Sequence, residues 1–307
     1  MPDFFMTFRV RGGPARGEVR ARRTGECMGL MTDADRAAGG YEEVALPFPG
    51  DRPGTGGLNP AVLRRRSARP SKRAVLYLHC MGDVFVPADL ACWYTDRGFH
   101  FYVADLRTPG AAGRVAPGSR LEAPAEYFGC LDAALRHARA ADGIETVVLC
   151  AHGAGALIAA LWCHARRSGL SADALVLTSP EFGPSGLWRG WAGPGADPGR
   201  PGHRPVRLLA GAQRRLRRGL DISCPLLVMC PSASWDAPGG PGGLLAARLL
   251  TGGRATMRLG AHVTWLKLEG GQPGQALPEG PDRRRFFDEL GRWLGAYMYG
   301  HVRDQLL

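Results

Sequence analysis

The chain has 307 residues, enough for one large domain or two modest ones and for a substantial core. With 45% hydrophobic and 22% charged residues it has a folded globular composition, which excludes an intrinsically disordered protein. No apolar run reaches the roughly 18 residues a membrane span needs, and the N-terminal stretch MPDFFMTFRVRGGPARGEVRARR lacks the apolar core and cleavage site of a secretory signal. A cytoplasmic location is therefore expected. The formal net charge is +11, yet all but two of the 39 basic residues are arginine, the exceptions being Lys72 and Lys267. A GC-rich coding sequence produces that skew by itself. The clusters at Arg9 to Arg23, Arg64 to Arg73, Arg214 to Arg218 and Arg283 to Arg285 carry no interleaved aromatics and no nucleic-acid fold signature. They read as solvated faces and tails, so nucleic acid is not an expected partner.

Residues 1–40 are Arg- and Gly-rich without a sustained period, and a poorly ordered extension is expected there, with Met28 and Met31 as alternative starts to Met1. A strand at Tyr41 to Pro47 and a second in AVLRRRS (61–67) are positioned to form a hairpin. AVLYLHC (74–80) is a continuous apolar run, as a buried parallel strand requires. A helix over Pro87 to Arg97 leads to the strand FHFYVADLR (99–107), and a helix over 125–143 leads to the strand TVVLCAHG (146–153). An amphipathic helix over 156–169 ends in Arg and Gly. Strands follow at 174–180, 224–230 and 262–270, and a helix at 282–298. Between Pro180 and Asp221 a Gly/Pro-rich insert and a short basic helix, VRLLAGAQRRLRRGL, interrupt this rhythm. Apolar strands alternating with helices imply an α/β fold, a mostly parallel sheet of about eight strands covered on both faces. The eight cysteines show no CxxC spacing, and several lie in apolar runs, so they read as buried free thiols rather than a disulfide or zinc framework.

TVVLCAHGAGALIAALW has the layout of a nucleophile elbow: a buried strand, a sharp turn of small residues, then an Ala-rich helix. AVLYLHCMGD, YTDRGFHFYVADLR, CPLLVMCPSASWD and HVTWLKLEGGQPG follow in the matching order. Together, over roughly 41–299, they resemble the α/β-hydrolases, and within them the serine aminopeptidase or monoacylglycerol-lipase-like branch found in actinobacteria. The resemblance implies a domain at 41–299, with a reduced cap insert at 180–221 and a tail at 300–307.

The departures from the pattern concern the catalytic triad. The elbow wants Gly-x-Ser-x-Gly and reads Ala151, His152, Gly153, Ala154, Gly155, which places Gly153 at the nucleophile position. No histidine occurs from Val263 to Gly300, and by spacing Pro273 takes the place of the general base. The acid position falls on Asp236 or is lost near Leu244. In the oxyanion loop His79 matches the family and Cys80 stands where Gly is usual. Asp105 and Arg107 match residues that hold the loop after their strand.

The residues expected around the pocket are His79, Cys80, Met81, Asp83, His152, Ala154, Trp188 and Trp191, with Trp235 at its mouth. Three function classes stay open. One is a non-hydrolytic pseudoenzyme binding a small acyl- or polyketide-like molecule or a protein partner. Another is a repurposed lyase, cyclase or isomerase using the same pocket. The third is a hydrolase with its nucleophile relocated to Cys80, where a thiolate–imidazolium pair with a neighbouring His is conceivable. No cofactor and no metal are expected.

Overall fold

The computed structural model describes residues 6–9, 39–46, 61–78, 87–105, 124–153, 155–180, 182, 211–212, 214–232, 259–269, 277–278 and 280–298. Nine strands form one sheet: β1 (Met6–Arg9), β2 (Glu42–Ala45), β3 (Ala61–Arg65), β4 (Arg73–Leu78), β5 (His100–Asp105), β6 (Thr146–His152), β7 (Ala174–Thr178), β8 (Leu226–Pro231) and β9 (Val263–Leu268). Their order is β1-β9-β8-β7-β6-β4-β5-β3-β2. The β2–β3 and β3–β5 pairs are antiparallel and all others parallel. This is the expected mostly parallel α/β sheet, with one strand more than the eight read from the sequence.

The extra strand corrects the expectation for the N-terminus. Met6–Arg9 lies parallel to β9, Met6 beside Val263 and Arg9 beside Leu266. Pairing there covers backbone groups of β9 that would otherwise form an open edge. A chain started at Met28 or Met31 lacks this strand. Residues 10–38 and the tail at 299–307 lie outside the described residues.

Among the described residues, the sheet is covered by helices α1 (Ala88–Asp96), α2 (Phe128–Ala141), α3 (Gly155–Ala165) and α4 (Gly280–Met298). A 3-10 turn, Pro124–Tyr127, leads into α2. Strand alternation sorts the core into two layers. Leu76 and Leu78 of β4 and Leu149 of β6 pack with Leu131 and Leu135 of α2 and with Ile158 and Trp162 of α3. Tyr77 and Val148 face the other way, toward Leu90 and Tyr94 of α1 and Leu290 and Trp293 of α4. At roughly 1.5–3 kcal/mol per fully buried large apolar side chain, these layers dominate the stability of the fold.

The ends of the elements follow from local chemistry. After α1 the Gly98 amide donates to the Thr95 carbonyl and the Phe99 amide to the Tyr94 carbonyl, each at 3.1 Å. This is a Schellman closure, and it needs the positive φ of +77° that Gly98 adopts. It turns the chain straight into β5. From the insert, helical turns at 211–212 and 214–218 are described, and Leu216 and Leu220 bury into the layer beneath α3.

Candidate functional site

β4 and β6 lie side by side, and the chain leaves β4 toward β5 on one side and β6 toward β7 on the other. Such a reversal opens a crevice at the carboxyl ends of the strands, where ligands of open α/β sheets bind. Register places Leu78 of β4 beside Ala151 of β6, and His152 beside Thr178 of β7. The turn after β6 therefore emerges beside that crevice.

Gly153 makes this turn at φ +57°. Its amide donates to the Thr178 carbonyl at 3.2 Å, and its carbonyl accepts from the Ala156 amide, also at 3.2 Å. One bond ties the turn to the neighbouring strand and the other starts α3. Ala151, Ala156, Ala159 and Ala160 are all fully buried, so small side chains let α3 seat closely against the sheet. The expected strand–turn–helix is present, with Gly153 at its apex.

His152, immediately before the turn, is 1% exposed. Its Nδ1 lies 3.0 Å from Thr178 Oγ1. The Thr178 hydroxyl also donates to the Ala151 carbonyl at 3.5 Å. The ring is thus fixed across two strands. Asp105 ends β5 at the same edge of the sheet.

One residue at this edge was invisible to sequence reasoning. Ser179, directly after β7, takes a φ of +43°, a left-handed value rare outside glycine, and it precedes Pro180. Its amide donates to the Met229 carbonyl at 2.8 Å. The strand read as 174–180 therefore ends at Thr178, and the chain turns sharply one strand away from Gly153. The Ser-Pro dipeptide was the available signal, but it marks a turn without giving its hand.

His79, Cys80, Met81, Asp83, Arg107, Ala154, Trp188, Trp191, Trp235, Asp236, Leu244 and Pro273 lie outside the described residues. β8 and β9 run parallel to β6 and β7, so both strands end at the Gly153 edge of the sheet. Among the described residues no cluster of three His, Cys, Asp or Glu side chains is arranged to hold a metal ion. No described helix is long and apolar enough to cross a membrane.

The family model described as serine aminopeptidase, S33 (Hydrolase_4) matches residues 69–224, from the turn before β4 to the start of β8. The chain belongs to this family. Solved structures show the same α/β-hydrolase fold. Est1E from Butyrivibrio proteoclasticus is 11% identical, with a TM-score of 0.54 over 83% of this chain and 100% of that one. Paleococcus ferrophilus monoacylglycerol lipase is 18% identical, with a TM-score of 0.52 over 77% and 99%. A soluble variant of monoglyceride lipase from Saccharomyces cerevisiae is 13% identical, with a TM-score of 0.55 over 83% and 96%. At these identities the likeness establishes the fold alone. No curated protein sequence matches the chain.

The described cysteines of this S33-family chain are all free. Burial pushes the Cys150 thiol up to about 12 and that of Cys130 up to about 11. These thiols are space-filling groups at neutral pH.

Proposed function

We propose that this member of the S33 family is a non-hydrolytic protein that binds a small acyl-type molecule at the carboxyl edge of its sheet. The observation that carries the reading is Gly153 at the apex of the turn after β6, where the family's elbow holds its nucleophile. Glycine accepts the left-handed backbone without cost but brings no group that can attack a carbonyl. The sequence from Val263 to Gly300, which covers the expected base position at Pro273, contains no histidine. A serine hydrolase needs nucleophile and base together, because the base takes the hydroxyl proton during attack.

Binding does not need either group. Oxyanion donors of the elbow type are backbone amides, which in this reading come from Ala154 and from the loop carrying His79 and Cys80. They hold a carbonyl or carboxylate oxygen whatever the side chains are. In the same reading the apolar part of the ligand runs toward Trp188 and Trp191. The fixed imidazole of His152 serves as scaffold, tied to Thr178 rather than acting as a base.

The test is turnover of p-nitrophenyl acetate and butyrate by the wild type and by Gly153→Ser. Neither is expected to exceed the rate with an unrelated protein. Hydrolysis by the wild type overturns the proposal, and a rescue by Gly153→Ser shows that another group serves as base.

A further inference from the structure

The carboxyl end of α3 and the segment that enters β8 are held together at the amino-terminal edge of the sheet. His164 Nδ1 accepts from the Asp221 amide at 2.9 Å, and Arg167 Nε lies 3.7 Å from Asp221 Oδ2. Just beyond, the Ile222 amide donates to the Leu259 carbonyl at 3.0 Å, and the Pro225 carbonyl accepts from the Leu175 amide at 2.9 Å. The backbone on both sides of Cys224 is therefore anchored, and Cys163 stands next to His164 on the helix that the same contacts reach. Cys163 belongs to the core layer beneath α3, and Cys224 packs against that layer. The two thiols meet there, side chain to side chain. We propose that Cys163 and Cys224 form a reversible, peroxide-sensitive disulfide that clamps the end of α3 to the start of β8.

The two sulfurs have unequal access. Cys224 is half-exposed, whereas Cys163 is 4% exposed, so a dissolved oxidant reaches Cys224 first. The hydrogen bond to Cys224, and then burial, push the Cys163 thiol well up, so it keeps its proton and waits as the resolving group. With hydrogen peroxide as oxidant, the Cys224 sulfur attacks one peroxide oxygen. The S–O bond forms, the O–O bond breaks, and the released hydroxide leaves with the Cys224 proton as water. The Cys163 sulfur then attacks the sulfenic sulfur. The S–S bond forms, the S–O bond breaks, and the hydroxyl leaves with the Cys163 proton as a second water. Two thiols lose two electrons, and one peroxide becomes two waters. A dithiol reverses the reaction by exchange.

The bond closes a loop of about 60 residues that contains β7 and the Gly/Pro-rich stretch between Pro180 and Asp221. Its main effect falls on the unfolded chain, which loses freedom, while the native anchors already hold the sulfurs side by side. α3 starts at the Gly153 turn, so oxidation restrains the helix behind that turn. The clamp does not depend on what the turn binds.

The test uses the full chain, reduced, freed of reductant and treated with a small excess of hydrogen peroxide at neutral pH. After alkylation of the remaining thiols, non-reducing digestion and mass spectrometry are expected to show the Cys163–Cys224 peptide pair as the main cross-link. Dithiothreitol should remove it. The oxidised protein should melt about 5 °C higher than the reduced one. In Cys163→Ser the cross-link should vanish and Cys224 should accumulate as a sulfenic acid that dimedone traps, an adduct largely missing from the wild type. Cys92, the other described half-exposed cysteine, serves as the internal control and should remain a thiol under the same dose. Oxidation of the wild type that leaves Cys224 as a sulfenic or sulfinic acid without the cross-link overturns the proposal. So does a main cross-link from Cys224 to any other cysteine, within the chain or between chains. An oxidised form that melts lower than the reduced one also overturns it, since the native anchors then do not hold the pair in place.

Discussion

The Gly153 amide donates to the Thr178 carbonyl at 3.2 Å, locking the turn after β6 to the neighbouring strand in a left-handed conformation. A side chain at this position pays the steric cost of positive φ, about 1–2 kcal/mol. Gly153→Ala is therefore expected to lower Tm by several degrees without changing the fold. Thermal denaturation followed by circular dichroism checks this; an unchanged or raised Tm contradicts the backbone assignment.

Asp142 ties three elements together. It accepts from Arg64 and, at 2.6 Å, from the Tyr102 hydroxyl, joining β3 and β5 to the end of α2. Burial alone raises its pKa, but the hydrogen bonds from Tyr102 and Arg64 outweigh that and hold the carboxyl below its ordinary value. A depressed folded-state pKa gives stability that is complete above the unfolded value, about 3.9, and is lost as pH falls through the folded one. Asp142→Asn should cost about 1–3 kcal/mol at pH 7. The difference from wild type should shrink in urea titrations as pH is lowered past 4. A difference that stays constant down to pH 3 contradicts the assignment.

Most of the sheet was legible because β4, β6, β7 and β8 are buried on both faces, which forces near-continuous apolar runs. The Gly153 turn was legible for a local reason: strand, small residues and helix are contiguous. β1 was not, since four residues acquire their meaning from β9, more than 250 positions away. The run Arg64 to Arg69 looked like one solvated patch. Strand alternation sends Arg64 and Arg65 to opposite faces, and the partner that neutralises Arg64 lies 78 positions on. No local pattern shows that Arg64 and Arg66 share Asp142 while Arg65 meets Cys92 instead.

The N-terminal strand makes its own expectation. Deleting residues 1–10 removes the partner of β9, so amide exchange at Val263 to Leu266 should accelerate while exchange in β6 and β7 stays slow. Unchanged protection in β9 contradicts the pairing of β1.

Thiol labelling should follow burial. Cys92 and Cys224 are half-exposed, whereas Cys130, Cys150, Cys163 and Cys230 are buried. Iodoacetamide at pH 8 should modify the first pair before the other four, as read by peptide mass spectrometry. Early modification of Cys150, whose thiol burial pushes up to about 12, contradicts the core packing.

The proposal that Gly153 leaves this S33-family protein without a nucleophile meets its most direct test in intact-mass analysis after treatment with a fluorophosphonate probe. The probe forms a stable adduct with an activated serine and leaves unactivated hydroxyls alone. The expected spectrum shows the unmodified mass after prolonged incubation at neutral pH. A stoichiometric adduct, mapped by digestion to any serine, contradicts the account.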